Sequence, residues 1–497
     1  MADDFILLRT LDRVDGIEQA FTRNDLGESG GAGHFYRPIW VLWNAAVVGL
    51  FDGAPEALHA ANLLLYALIA IEVWVLLRRF TSDFGASAGA LFFAVYPRHA
   101  ESVAWISGNT DLTATAIALG ALLVLLLRNP GTVHVLGAGV LAGAAALTKE
   151  STFVLPLLAF LVLVTRSRLE PGSMRRVVWL GPLAMFFAQL VVLAIRSEVL
   201  GGVGGYGAYP WTPLRVGAVT LTHVLASTAP PQLELILHPA FLVVPFLVIC
   251  LAVWAFVRLL RRREPLRALV AVAGMAWFFA SLIPVANLAV DLNTSNGERL
   301  LFLPSVGLAL IVAALVPSGW ELRRAAVLGM FVVLGLASAA QSSYNWVVAG
   351  RMAERMVSQA ADLAPPSGEL ILLSSPDNYR TAHVLLGGLP AALERAGRRD
   401  LTVSWCAPVQ VRSARTGQIS FRQLGDGSYE GTATWSAPFD FPVLRDPAPL
   451  TPDCAYERVG SDIWPLGLRL TSRVSPTPAK QPAVLAFFDG HDLRLCC

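Results

Sequence analysis

Ten apolar runs succeed one another in this 497-residue chain, at 57–77, 84–96, 112–127, 133–147, 152–164, 177–195, 240–257, 268–286, 300–316 and 325–340. Nothing else in the sequence constrains the fold as much. In a bilayer every backbone N–H and C=O needs an internal partner, so runs of this kind close on themselves as helices. Composition agrees: 55% of residues are hydrophobic and 15% charged, with a mean hydropathy of +0.56. Soluble domains carry about 25% charged residues, so the chain reads as a mainly α, polytopic membrane protein. Several runs fall short of the about 20 residues that a span takes. A further apolar segment at 35–51 starts with Arg37 and Pro38 and contains Trp40 and Trp43. It either crosses or lies in the interface, where tryptophan is favoured.

Lysine and arginine orient such a bundle, because loops rich in them stay cytoplasmic. Alternate loops hold fourteen: Arg78, Arg79, Arg128, Arg166, Arg168, Arg175, Arg176, Arg258, Arg261, Arg262, Arg263, Arg267, Arg323 and Arg324. The opposite set holds five: Arg98, Lys149, Arg196, Arg215 and Arg299. The first set is expected inside, provided that the moderately apolar stretch 216–229 is re-entrant or lies on the surface. His59, the turn 96–111, Lys149–Glu150, the connection 196–239 and residues 287–299 then share the outer face. The net charge of +2 says little about partners, and no nucleic acid is expected among them.

From about Gln341 the chain turns soluble in character, with strands expected at 369–374, 401–405, 418–423 and 428–435 and a helix over 381–398. The expected division is an external segment with an interfacial helix over 1–56, a transmembrane bundle over 57–342, and a periplasmic α+β domain over 343–497. Of five cysteines, Cys250 lies in an apolar run, while Cys406, Cys454, Cys496 and Cys497 come late. No CxxC with metal spacing occurs, so zinc is not expected. The late cysteines can pair in an oxidising compartment.

One polar stretch interrupts the apolar pattern: YPRHAESVAWISGNTD, Tyr96 to Asp111. On insertion scales an acid or lysine at mid-bilayer costs about 2.5–3.5 kcal/mol. A turn between spans must be polar somewhere; the alternative is that this one lines a reaction site. Glu101 is the harder residue to explain blandly, because Ala100, Val103, Ala104 and Trp105 surround it. Asp111 opens the next helix, where an acid also caps. Lys149 and Glu150 pair with each other at a helix end, or Lys149 holds a phosphate as a point charge. Arg299, beside Glu298, offers a planar fork suited to phosphate, and Arg37 is a third cation. His59 and Asn62, three apart, share a helix face. Glu72, deeper in the same run, is expected to snorkel or to pair with Arg79. Asp3 and Asp4 are either an ordinary acidic terminus or a base with its partner.

Taken in order, the boxes Asp3-Asp4, Tyr36-Arg37-Pro38, His59 to Asn62, Pro97 to Asp111, Leu147 to Glu150 and Glu298 to Ser305 resemble the membrane glycosyltransferases of the GT-C class. The nearest group is the transmembrane O-mannosyltransferases that bear tetratricopeptide repeats, with the dolichyl-phosphate-mannose-protein mannosyltransferases and their bacterial relatives. The resemblance covers residues 3–345, and it implies a GT-C-like bundle in a bacterial inner membrane. It further implies transfer of a sugar, mannose in the family, from a polyprenyl-phosphate donor to a protein or glycan acceptor on the periplasmic face, with inversion. Catalysis would fall to Asp3, Asp4 and Glu101, and the donor phosphate to Arg37, Lys149 and Arg299. His59, Asn62, His99, Asn109, Asp111, Glu150 and Glu298 would support them. The donor lipid is a substrate; beyond it the reading admits a divalent cation and requires no cofactor.

Three departures stand out. Family members carry a transmembrane helix ahead of the acidic pair, which would make eleven spans here. The repeats are replaced by the α+β domain, expected to bind or position the acceptor. The arginine usual before the box's final acid is Asn109, which removes one phosphate contact. Two other readings of the chain are a transporter or lipid flippase, which requires inverted repeats or ionisable residues near the midplane, and a non-catalytic scaffold of the same fold.

Overall fold

The computed structural model describes residues 4–12, 16–22, 35–169, 176–202, 211–229, 239–292, 296–316, 322–376, 378–385, 388–411, 417–435, 443–444, 454–464, 467–476, 482–489 and 491–496. Two short helices come first, α1 (Asp4–Leu11) and α2 (Ile17–Thr22). The apolar part follows as α3 (Pro38–Phe51), α4 (Pro55–Leu77), α5 (Asp83–Ala94), the short α6 (Ala100–Ala104), α7 (Thr110–Leu125), α8 (Thr132–Ala146) and α9 (Leu155–Leu169). After these come α10 (Val177–Leu200), α11 (Pro213–Thr228), α12 (Pro239–Arg261), α13 (Pro265–Leu282), α14 (Phe302–Leu315) and α15 (Leu322–Leu363).

Each of the ten apolar runs thus falls largely within a helix. Among the described residues seven helical stretches are long and apolar enough to cross a membrane: 55–77, 107–125, 150–169, 177–200, 243–261, 265–285 and 298–315. α3, α5 and α8, at 14, 12 and 15 residues, reach about 21, 18 and 22 Å at 1.5 Å per residue, short of a hydrocarbon layer of about 30 Å. α15 runs on for 42 residues, well past the expected end of its apolar run.

Proline and hydroxyl caps set several starts: Pro38, Pro55, Pro213 and Pro265 open their helices, where the missing N–H costs nothing. Ser82 caps α5 by accepting from Gly85 N at 3.2 Å. α7 is central, with buried residues on all sides, while α12 is mostly exposed. α13 and α14 meet backbone to backbone: a Cβ on Gly274 would stand 2.6 Å from Gly307 O, and one on Gly307 2.5 Å from Gly274 O. Small residues at such a crossing are what lets two membrane helices pack closely.

The chain divides into two compact units, Thr10–Gln341 and Met1–Arg9 with Ser342–Cys497. The separate segment expected over 1–56 is therefore shared between them: α3 packs with the bundle, whereas the start of α1 clusters with the C-terminal unit. That unit contains β1 (Gly368–Pro376), the hairpin β2 (Asn378–Tyr379) and β3 (Ala382–His383), α16 (Leu389–Arg395), β4 (Leu401–Val411), β5 (Gly417–Gln423), β6 (Tyr429–Trp435), β7 (Val443–Leu444), β8 (Cys454–Trp464), β9 (Gly467–Pro476), β10 (Ala483–Phe488) and β11 (Leu493–Leu495). The helix expected over 381–398 is only α16, because Ala382–His383 pair as a strand instead.

One sheet has the order β11-β10-β1-β4-β7, with β1 parallel to both β4 and β10; a second, antiparallel sheet is ordered β5-β6-β9-β8. Ile371 and Leu373 pack with Phe421, Tyr429 and Phe487 between the sheets. A disulfide joins Cys406 of β4 to Cys454 of β8.

Candidate active site

Helix ends that are far apart in sequence bring the residues expected on the outer face together at one end of the bundle. Arg37, the residue before α3, donates from Nη2 to Glu150 Oε1 at 2.6 Å and from Nε to Oε2 at 3.1 Å. Arg196, at the end of α10, lies 4.0 Å from the same carboxylate. Lys149 is paired with Asp111. The two neighbours Lys149 and Glu150 therefore do not pair with each other. A change from extended backbone at Lys149 to a 3₁₀ turn at Glu150 sends one side chain to α7 and the other to α3.

Glu101 is held differently. Its carboxylate accepts from Arg299 N at 2.8 Å and Gly297 N at 3.4 Å, and the Arg299 guanidinium lies 3.5 Å away. Gly297 has φ of +88°, a left-handed conformation in which glycine carries no penalty, and this turn aims the two amides at one carboxylate. The same guanidinium stacks 4.4 Å above Trp105. Arg98 is paired with Glu298 and donates to the Ala229 carbonyl from Nη2 at 2.9 Å and Nε at 3.2 Å. Tyr96 donates to Ser227 O at 2.9 Å, so two residues of the polar turn hold the last turn of α11.

The charges of Lys149, Arg299 and Arg37 all act on Asp111, which makes the separate pairs one electrostatic neighbourhood. Five cations (Arg37, Arg98, Lys149, Arg196, Arg299) and four carboxylates (Glu101, Asp111, Glu150, Glu298) line it. All but Glu150 and Arg299 are buried. Asp111 lies in the first turn of α7 but is not its cap; its carboxylate goes to Lys149.

Asn109 is the node of an uncharged network. Its Oδ1 accepts from Trp40 Nε1 at 2.5 Å and Asn44 Nδ2 at 3.4 Å, and its Nδ2 donates to Asn62 Oδ1 at 3.0 Å and Asn44 Oδ1 at 3.1 Å. Asn62 in turn donates to Val103 O at 3.2 Å. α3, α4 and α7 are thereby locked together behind the ion pairs, and Asn109 acts as a joint. His59 lies half-buried one turn before Asn62.

His99 is a core residue. His99 Nε2 lies 2.8 Å from Ser305 Oγ, and Nδ1 lies 2.8 Å from the Tyr66 hydroxyl, which itself donates to Phe93 O at 2.9 Å. Phe93 and Phe302 rings stand 4.6 and 4.4 Å from the imidazole. Burial pushes its pKa down to about 3, so it is neutral and positions the turn against α4 and α14. Glu72 makes no ion pair with Arg79 among the described residues, and its Oε2 is buried without a hydrogen bond.

Asp4 is buried at the start of α1, in the unit that also holds the C-terminal sheets; Asp3 lies outside the described residues. Sequence reasoning did not single out Arg98, Asn44, Arg196, Tyr66 or Ser305 as site residues. The signal for Arg98 was present, since it is one of the five cations in the sparser set of loops, the set expected outside. Asn44 and Tyr66 sit inside apolar runs and carry no such mark. Among the described residues no three His, Cys, Asp or Glu side chains are placed to hold a metal ion. The arrangement can neutralise an anion and offer a carboxylate beside it. No protein-family model and no curated protein matches the chain.

Proposed function

We propose that this membrane protein is a glycosyltransferase of the GT-C type. It would move a sugar, mannose in the family it resembles, from a polyprenyl-phosphate donor to a protein or glycan acceptor on the periplasmic face of a bacterial inner membrane. One observation carries the reading: Arg37, Lys149 and Arg299, the three cations expected on a phosphate, lie in one neighbourhood with Glu101 and Asp111 at one end of the span bundle. In the reaction the acceptor hydroxyl oxygen attacks the anomeric carbon as the bond to the phosphate oxygen breaks, from the opposite side, so the configuration inverts. The hydroxyl proton passes to a carboxylate, and the departing phosphate takes the bonding pair. Cations preorganised in a site of low dielectric stabilise that developing charge without reorganising.

Glu101 is the carboxylate best supported as the base, since main-chain amides hold it beside Arg299. Asp111 is the second. The part of Asp3 and Asp4 rests on the resemblance alone. The outer location is supported by the arginine count and by the Cys406–Cys454 disulfide, a bond that persists in oxidising compartments.

The test is transfer from a synthetic polyprenyl-phosphate sugar by the protein in nanodiscs. Glu101→Gln is expected to lower turnover by about 10²–10⁴-fold, the usual weight of a general base, with the thermal midpoint retained. Arg299→Met should instead raise the donor KM. Full activity in Glu101→Gln, or no transfer by the wild-type chain from any such donor, would overturn the reading. A cysteine at Ser107 should label from outside the cell, and one at Asn129 only after permeabilisation; the reverse would invert the topology.

A further inference from the structure

The arginines that end α12 take no part in the proposed transfer. Arg258, Arg261, Arg262 and Arg263 come close together there, and all four are exposed. Two other arginines of this end are held by protein groups. Arg78 donates to Asp83 at 2.7 Å; Arg267 is paired with Glu264 and donates to Ala314 O at 3.0 Å and Val316 O at 2.7 Å.

The backbone fixes how the α12 arginines are arrayed. Arg262 N donates to Arg258 O at 3.0 Å, so helical spacing runs on to Arg262, and Arg263, with φ of +55°, ends it. Residues three and four apart are neighbours on a helix surface, which sets Arg261 and Arg262 beside Arg258. The side of α12 that faces the bundle is marked by Leu259, which is buried, and Phe256, which packs on the bundle core. At about 100° per residue, Arg258 and Arg261 point away from it, in line with Trp254 and Leu247. These two are 57% and 58% exposed, and the Arg258 guanidinium lies 5.2 Å from the centre of the Trp254 ring.

This stripe has the profile of one phospholipid. From Leu247 to Arg258 the helix rises about 16 Å at 1.5 Å per residue, close to half of a hydrocarbon layer of about 30 Å. Exposed apolar side chains cover that length, and a tryptophan stands at its rim, where such rings settle. Three guanidinium groups follow, each a planar fork suited to phosphate. The helix dipole favours cations at a C-terminus, which accounts for their sign but not for the ring that carries Arg258 along the stripe. Basic clusters next to a membrane helix attract anionic headgroups.

We propose that the end of α12 binds an anionic phospholipid, with an acyl chain along Leu247 and Trp254 and the phosphate between Arg258, Arg261 and Arg262. The site is remote from the buried ion pairs: α13 starts at Pro265, and its 18 residues rise about 27 Å before the loop whose amides hold Glu101. It stands whether or not the chain transfers sugars.

The test is native mass spectrometry of the full chain in detergent, titrated with phosphatidylglycerol, phosphatidylcholine and inorganic phosphate. Phosphatidylglycerol should bind at least tenfold more tightly than phosphatidylcholine, and inorganic phosphate at the same concentration should not displace it. The joint change Arg258→Gln, Arg261→Gln and Arg262→Gln should weaken phosphatidylglycerol at least tenfold. Phosphatidylcholine binding should stay as it was, which shows that the variant is folded. Removing the same charge elsewhere at this end, by Arg78→Gln, Arg128→Gln and Arg176→Gln, all exposed, should weaken phosphatidylglycerol less than twofold. Glu101→Gln should leave both lipids unchanged. Comparable weakening by the two triple variants would reduce the effect to diffuse surface charge, and displacement by inorganic phosphate would make it an adventitious ion only. Equal affinity for the two lipids, or loss of phosphatidylglycerol in Glu101→Gln, would also overturn the proposal.

Discussion

The two polar ends of the helix bundle treat charge in opposite ways. At the arginine-rich end, Arg78 and Asp83 pair at 2.7 Å with side chains 46% and 78% exposed. At the other end, the side chains of Arg98 and Glu298 are 2% and 3% exposed, and those of Lys149 and Asp111 5% and 7%. A charge left in water, as at Arg78, keeps its hydration, so its partner contributes little. A charge taken out of water loses several kcal/mol of hydration that a partner must offset. At the second end, position matters atom by atom. One end carries this charge pair in water, and the other carries its charges buried in pairs.

The contrast can be broken first at its strongest point. Glu298→Gln leaves Arg98 buried without its carboxylate and is expected to cost about 3–5 kcal/mol, read as a fall in the thermal midpoint in nanodiscs. The joint change Arg98→Met with Glu298→Leu should recover most of it, because apolar replacement of a whole buried pair is often neutral. An unchanged midpoint in Glu298→Gln would put the two ends on a par.

The second effect is one of pH. His99 titrates at about 3 when folded and near 6.5 when unfolded, so between these values the unfolded chain binds the extra proton. The stability tied to the neutral ring is fully present above about pH 6.5. It is lost as pH falls towards 3, at up to about 1.4 kcal/mol per unit. His99→Gln should flatten the acid side of the stability profile; a profile of the same slope would show that the ring is not buried as described.

A smaller effect is expected at Gly297. A side chain there meets both the +88° φ and the Ala289 carbonyl, 3.2 Å from where its Cβ would stand. Gly297→Ala should cost about 1–2 kcal/mol and shift the amides off Glu101; unaltered stability and activity would mean the turn is not under this constraint. Least of all, Arg78→Ala should change stability by no more than about 1 kcal/mol, as for other exposed pairs. A larger loss would erase the distinction between the ends.

Much of the bundle was legible because the bilayer imposes one rule on every span: an apolar run long enough to bury its own backbone. The runs at 57–77 and 177–195 correspond closely to α4 and α10. The runs 84–96 and 133–147 read as spans too, but α5 and α8 are helices of only 12 and 15 residues and are not among the seven stretches long enough to cross. The rule fails differently for α15, where helix propensity carries the chain past its apolar part. The helix expected over 381–398 failed because the β1 register and the Arg380 turn claim its first half.

Within the site, the stretch 96–111 and the residues Lys149, Arg299 and Arg37 could be named because their charge is anomalous where it occurs. Their pairings could not. Adjacent Lys149 and Glu150 part company at a change of backbone conformation that no periodicity announces. Asn109, noted as a lost phosphate contact, is the joint of an amide network whose other members, Asn44 and Trp40, lie in a segment noted mainly for its tryptophans. Amides inside apolar runs carry no net charge, so nothing in a charge count points to them.

The way Glu101 is held has one more consequence. Two of its anchors are main-chain N–H groups, at Gly297 and Arg299. Side-chain replacement at either position leaves an amide in place so long as the loop keeps its path, and only proline would delete one. The carboxylate's berth is written in the course of the chain more than in the identity of its neighbours. Drift in the flanking side chains can therefore change the charge and shape around this acid while the acid stays where it is.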